Sequence, residues 1–171
     1  TRCAAALSCG ADLVVEIPSI FACATAENLE ANVVAQVTDR NRMEMTLKGK
    51  KIGAYYGCLL LRPNGVMRMD DPENPRIMED FIRAIGADAV VYANRNECCG
   101  GYVALDSPDS AAKQSKKVLD GATAAGADII VTACPLCRYN LVKNGKSDIP
   151  VVYFTELLAE ALGVKETEDA Q

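Results

Sequence analysis

Histidine is absent from the 171 residues, and so is tryptophan. The first absence excludes the most. Cysteine–histidine zinc sites, Rieske-type clusters, and Ser-His-Asp or Cys-His catalysis all need an imidazole. Chemistry here must use sulfur, carboxylate, amine, backbone or a cofactor. No stretch approaches the roughly 20 apolar residues of a membrane-spanning helix. A basic start followed by an apolar leader is also missing, so the chain is expected to be cytoplasmic, where thiols stay reduced. No dense Lys/Arg cluster offsets the net charge of −5, which argues against a nucleic-acid partner. No GxGxxG or Walker loop is present to cradle a nucleotide phosphate.

What is present is an ordinary globular composition, 50% apolar and 24% charged, in a chain long enough for one or two modules. It opens at Thr1 inside a helical pattern, so it is expected to be a fragment of a longer polypeptide. Its eight cysteines are too sparse for a disulfide-stapled scaffold and better suited to metal or redox work.

From residue 50 the elements alternate. Residues 52–56 read as a strand, and 62–73 as a loop rich in Pro, Asn and Asp. Asn74 is placed to cap a helix with Pro75 at its first position and Gly86 at its end. Ile77, Met78, Phe81, Ile82 and Ile85 give that helix one apolar stripe. Residues 88–92 form a second strand. Ser107-Pro108-Asp109 opens a second helix that Gly126 ends. Small Ala111, Ala112, Ser115 and Ala122, beside Val118 and Leu119, let it pack closely. A strand over 129–132, a helix over 134–143 and a strand over 150–154 follow. Thr155 is placed to cap a last helix with Leu157, Leu158, Ala161 and Leu162 inward. The pattern predicts an α/β fold: a four-stranded parallel sheet with helices on both faces.

Residues 1–45 read as the degraded end of a preceding similar module plus a linker. Gly10-Ala-Asp-Leu-Val-Val15 matches Gly126-Ala-Asp-Ile-Ile-Val131, and Cys23 and a helix over 28–40 follow the first copy. Where the later copy has Cys134 and Cys137, the earlier one offers Pro18 and Phe21. Residues 46–163 form the main domain, and 164–171 an acidic, frayed tail.

Five cysteines make one pattern: Cys58, the pair Cys98-Cys99, and Cys134-Pro-Leu-Cys137. Each group follows an apolar strand, and the carboxyl ends of parallel strands share one crevice where ligands bind. Cys134 and Cys137 flank a helix start, where the dipole and free N–H groups favour thiolate. Gly100 and Gly101 let backbone approach a bulky group. Five thiols are one more than a tetrahedral zinc site needs and suit an iron–sulfur cluster better. A zinc site with a spare thiol and simple core packing stay open as alternatives. Cys3 and Cys9, on an Ala-rich helix, read as core residues. Cys23 is either another core residue or a remnant of the first module's ligand set. Arg62 and Arg95 are candidates for holding an anionic substrate, against the simpler reading of solvated side chains. Tyr55, Tyr56, Tyr92 and Tyr102 read as packing residues.

On these residues the chain resembles the CCG-domain (cysteine-rich) family, most closely the B subunits of heterodisulfide reductases. The context agrees too: Tyr-Tyr-Gly-Cys-Leu-Leu-Leu-Arg-Pro over 55–63, Asp-Asp-Pro-Glu-Asn-Pro over 70–75, and Cys-Pro-Leu-Cys-Arg-Tyr-Asn-Leu over 134–141. The resemblance implies a catalytic subunit with two CCG modules, each holding a non-cubane 4Fe-4S cluster. The second module's ligands would be Cys58, Cys98, Cys99, Cys134 and Cys137. It further implies an oxidoreductase acting on sulfur groups, which reduces the mixed disulfide of coenzyme M and coenzyme B. Electrons would come through an iron–sulfur subunit from a flavin subunit. A fragment with one site is expected to be inactive alone. A non-catalytic electron-transfer or scaffold subunit and a zinc-stabilised structural domain are the rival readings.

Overall fold

A computed structural model describes residues 47–162. The sequence repeat at 10–15, Cys3, Cys9, Cys23, the helix over 28–40 and the tail from 164 lie outside the described residues. Strand β1 (Lys51–Tyr55) is followed by α1 (Asn64–Met67), α2 (Ile77–Ala84) and β2 (Asp88–Val90). A 3-10 turn (Val103–Leu105), α3 (Pro108–Ala124), β3 (Ile129–Thr132), α4 (Pro135–Asn144), β4 (Val151–Tyr153) and α5 (Phe154–Ala161) complete the order. The four strands pair in the order β2-β1-β3-β4, all parallel. The chain steps from β1 outward to β2, then crosses to β3 on β1's other side. Adjacent β1 and β3 therefore define the topological switch point of the sheet.

Side chains alternate across each strand. Ile52, Ala54, Tyr56 and Val131 face one side, against Met78, Phe81 and Ile82 of α2 and Leu157, Leu158 and Ala161 of α5. Tyr55, Ile130 and Val151 face the other, against Val118, Leu119 and Ala122 of α3 and Cys137 and Leu141 of α4. Each face is thus closed by two helices, and the predicted α/β architecture stands. Among the described residues, no helix is long and apolar enough to cross a membrane.

Several boundaries move for identifiable reasons. Helix α2 starts at Ile77, not beside Asn74, because a distant carboxylate caps it. Asp70 Oδ2 accepts the N–H groups of Arg76 at 2.5 Å and Ile77 at 2.8 Å. The Asn74 side chain instead accepts from Arg95 at 2.7 Å. Replacing Asp70 by Ala should cost about 1 kcal/mol, the usual worth of an N-terminal cap, and lower the melting temperature by a few degrees. A single turn, α1, forms inside the stretch read as irregular, its N–H groups at Val66 and Met67 bonding Pro63 O. Strand β2 stops at Val90; beyond it, the Tyr92 carbonyl accepts the Arg95 guanidinium at 3.1 Å rather than a ladder partner. Thr155 lies inside α5, and Glu156 caps that helix by accepting the Tyr153 N–H at 3.1 Å.

Candidate metal centre

Three turns supply the thiols. Past β1, Gly57 adopts φ +66°, and a Cβ there would lie 2.8 Å from Cys137 Sγ. Only glycine brings the β1 turn this close to the thiol of α4. Cys58 follows, its carbonyl closing the turn with the N–H groups of Leu61 and Arg62. Past β3, Cys134 is the N-cap of α4. Its Sγ accepts the Cys137 N–H at 3.3 Å, with Pro135 next in the chain where no N–H is needed. The Cys98-Cys99 turn is held from three sides. The Tyr55 hydroxyl donates to Glu97 O at 2.8 Å, Ser115 Oγ donates to Cys99 O at 3.0 Å, and Asn140 Nδ2 donates to the same carbonyl. The Gly100 N–H donates to Cys98 Sγ at 3.3 Å.

The five thiols fall in two hydrogen-bonded sets, Cys58 with Cys98 and Cys137 with both Cys99 and Cys134, and Cys99 acts on Cys58 through its charge alone. All five are free of disulfides. Cys137 lies between Cys99 and Cys134 as the hydrogen-bond partner they share, which sets the electrostatics. Cys99 is pulled down to about 6, chiefly by Cys137 and further by Asn140, the Gly101 N–H and Tyr55. Cys134 is also pulled down to about 6, by Cys137 first and by the N–H groups of Cys137 and Leu136. Those N–H groups are the free donors of a helix start. Cys137 itself is driven upward by the two thiols it serves. Cys58 is pushed up to about 11 by burial and by Cys98. Burial, with the neighbouring thiols, raises Tyr55 well above the usual phenol range, so its hydroxyl stays a neutral donor. Cys99 and Cys134 are thus the two thiols drawn toward the thiolate form that binds metal or attacks disulfides.

The cysteine-rich domain (CCG) matches residues 52–142. The chain belongs to the CCG cysteine-rich domain family. It is 34% identical over 124 residues to the B subunit of the ferredoxin:CoB-CoM heterodisulfide reductase of Methanosarcina mazei, covering 66% of this chain and 41% of that protein. It is 30% identical over 137 residues to a protein of Archaeoglobus profundus described as like the B subunit of heterodisulfide reductase, covering 72% and 46%. It is 28% identical over 138 residues to the membrane anchor of the 8-methylmenaquinol:fumarate reductase of Wolinella succinogenes, covering 75% and 49%. Two of these relatives are named as reductase subunits and the third as like one, and the chain spans under half the length of each.

The five cysteines would offer an all-sulfur donor set. Among the described residues, no group of three or more His, Cys, Asp or Glu side chains is arranged to hold one metal ion. The sulfurs are instead spread over two hydrogen-bonded sets. A group with several irons, each taking its own thiolates, fits a string of soft donors from separate turns. Changing Gly57 to Ala should test how tightly that string is set. The left-handed φ alone should cost about 1–3 kcal/mol, and the new methyl would displace Cys137. A lower melting temperature together with reduced iron uptake is the expected result.

Arg95 has other work than the sequence suggested, while Arg62 is exposed, as the simpler reading had it. Arg95 is 7% exposed and lies 3.0 Å from Glu79, so it is neither solvated nor free for a substrate. Arg62 donates to Asn96 O at 3.1 Å, Pro72 O at 3.3 Å and Glu73 at 3.0 Å, tying three loops together. Tyr55, Tyr56 and Tyr92 are buried as expected, but Tyr102 is exposed. Sequence reasoning missed Asn140 and Ser115 as site residues. The available signal was a polar side chain at a core position of each helix.

Proposed function

We propose that residues 46–163 are the carboxyl-terminal CCG module of a heterodisulfide-reductase-like catalytic subunit. In this reading Cys58, Cys98, Cys99, Cys134 and Cys137 hold a non-cubane 4Fe-4S cluster. What carries it is the pairing of thiols from three separate segments, Cys58 with Cys98 and Cys137 with both Cys99 and Cys134. When bound, such a group supplies single electrons to an opening disulfide. The protein's part is positional. Tyr55, Ser115 and Asn140 fix the Cys98-Cys99 turn, and the start of α4 favours the charged form of Cys134. Cys98 is the exposed member of the five, so a small disulfide would approach from its side. An iron–sulfur subunit and a flavin subunit in the cytoplasm would deliver electrons. Residues 1–45 would end a preceding module and 164–171 form a tail, leaving the isolated fragment inactive.

Anaerobic treatment with ferrous iron and sulfide should produce charge-transfer absorption, with iron and not zinc on elemental analysis. A folded protein that stays colourless, or that carries one zinc per chain, would defeat the proposal. The Wolinella relative favours a second reading, a non-catalytic electron-transfer or scaffold role, because it is named for a quinol and fumarate and not for a disulfide. Turnover of small disulfides by the reconstituted full-length protein separates the two.

A further inference from the structure

Ser115 and Asn140 are 0% and 1% exposed. A buried hydroxyl or amide costs free energy unless its hydrogen bonds are made. Packing alone would not call for either group. Ser115 stands in a stripe with Ala111, Val118, Leu119 and Ala122, which alanine would complete. Asn140 lies between Cys137 and Leu141 on the buried face of α4. Both donate to a single atom, the Cys99 carbonyl oxygen. Ser115 Oγ also reaches Asn140 O at 3.4 Å, and Asn144 Nδ2 donates to Asn140 Oδ1, which fixes the orientation of the amide.

That carbonyl belongs to the peptide joining Cys99 to Gly100. A peptide is a rigid plane, so holding its oxygen also aims its N–H. The N–H in question is that of Gly100, and it points at Cys98 Sγ at 3.3 Å. Gly100 has φ +80°, and a Cβ there would meet Ala111 Cα at 2.9 Å, so the peptide lies directly on α3. Hydrogen bonds to ligand sulfurs help set the reduction potential of an iron–sulfur site.

We infer that Ser115 and Asn140 are positioning residues: by gripping the Cys99–Gly100 peptide they aim its N–H at the Cys98 sulfur and so tune the metal group held there. The inference rests on the cluster reading above. An N–H···S bond favours the more negative, reduced state. Losing its aim therefore moves the potential in the negative direction.

The test uses the 171-residue chain, loaded anaerobically with iron and sulfide, as wild type, Ser115→Ala, Ser115→Thr and Asn140→Ala. Ser115→Ala is the variant least at risk of misfolding, since alanine is the better helix former. Circular dichroism and melting confirm that each variant is folded. Three results are expected of Ser115→Ala and Asn140→Ala. Their potential becomes more negative, and their iron affinity falls by roughly 10- to 100-fold, the usual effect of losing an outer-sphere partner. Deuterium exchange at the Gly100 amide of the metal-free reduced protein becomes faster. Ser115→Thr, which keeps the hydroxyl, retains the wild-type potential. A wild-type chain that takes up no iron overturns the cluster reading and this inference with it. Loaded variants with an unchanged or more positive potential, or unchanged Gly100 exchange, overturn this inference alone.

Discussion

Changing Cys99 to serine is expected to remove the charge-transfer absorption that iron and sulfide produce in the wild-type chain, while the protein stays folded. Cys99 is 3% exposed and packs in the core cluster that holds Tyr55, Val118 and Cys137. A serine there keeps the shape, and its hydroxyl has Cys137 and Tyr55 within reach as partners. The stability cost should therefore stay near the roughly 1 kcal/mol typical of a changed hydrogen bond. The metal cost should be far larger, because a hydroxyl at neutral pH is not a soft anionic ligand. It should exceed the roughly 10- to 100-fold that follows loss of an outer-sphere partner. Cys98→Ser should lose the same absorption with less effect on stability, since Cys98 is exposed. Cys3→Ser and Cys9→Ser, which replace cysteines read as core residues, should keep it. Wild-type absorption and iron content in both Cys98→Ser and Cys99→Ser would remove the basis of the metal site.

How much of this was legible depended on the distance over which each signal acts. The α4 start could be read because Cys134, Pro135 and Cys137 are neighbours and the helix start is local chemistry. β3 and α3 were bounded by Gly126 and by Ser107-Pro108, again within a few residues. The start of α2 was misread because Asn74-Pro75 looks like a helix opening, while the working cap, Asp70, acts from six and seven residues upstream. Arg95 is harder still. Its meaning comes from Glu79, which lies on another element, and no spacing rule links a loop arginine to a helix carboxylate. Ser115 read as one more small packing residue and Asn140 as part of the run 134–141, and a single sequence could not say which carbonyl they served. The five thiols stood out as candidates because cysteine is rare and chemically loud. The groups that hold them are common residues and were quiet.

Arg95→Ala should be among the most destabilising single changes in the domain, by about 3–5 kcal/mol, which is what breaking a buried ion pair from one side costs. Glu79 is 1% exposed, and only one of its two carboxyl oxygens has an aligned hydrogen-bond donor. Tyr56 donates its hydroxyl to Oε2, and Arg95 Nε lies 3.0 Å from Oε1. The latter contact is close but not aligned as a hydrogen bond, so attraction between charges carries it. Burial holds the Glu79 carboxyl above its usual range, with Tyr56 and Arg95 pulling against that rise. Without the guanidinium, the carboxylate is left buried beside a phenol. Three further contacts go with it, to Tyr92 O at 3.1 Å, Asn74 Oδ1 at 2.7 Å and Pro75 O at 3.4 Å. Set against a domain stability of about 5–15 kcal/mol, this loss is large and should be plain in a urea titration. The double change Arg95→Met with Glu79→Leu should recover much of it, since replacing both charges leaves neither unpaired. A cost below about 1 kcal/mol for Arg95→Ala would mean the pair behaves as an exposed one. The same arginine anchors the segment that leads into Cys98, and its carbonyl accepts the Tyr56 N–H at 2.8 Å. Loosening it should therefore reduce iron uptake even at temperatures where the variant is still folded, because the guanidinium's bonds to Tyr92 O, Asn74 and Pro75 O help to hold the segment that leads into two of the five thiols.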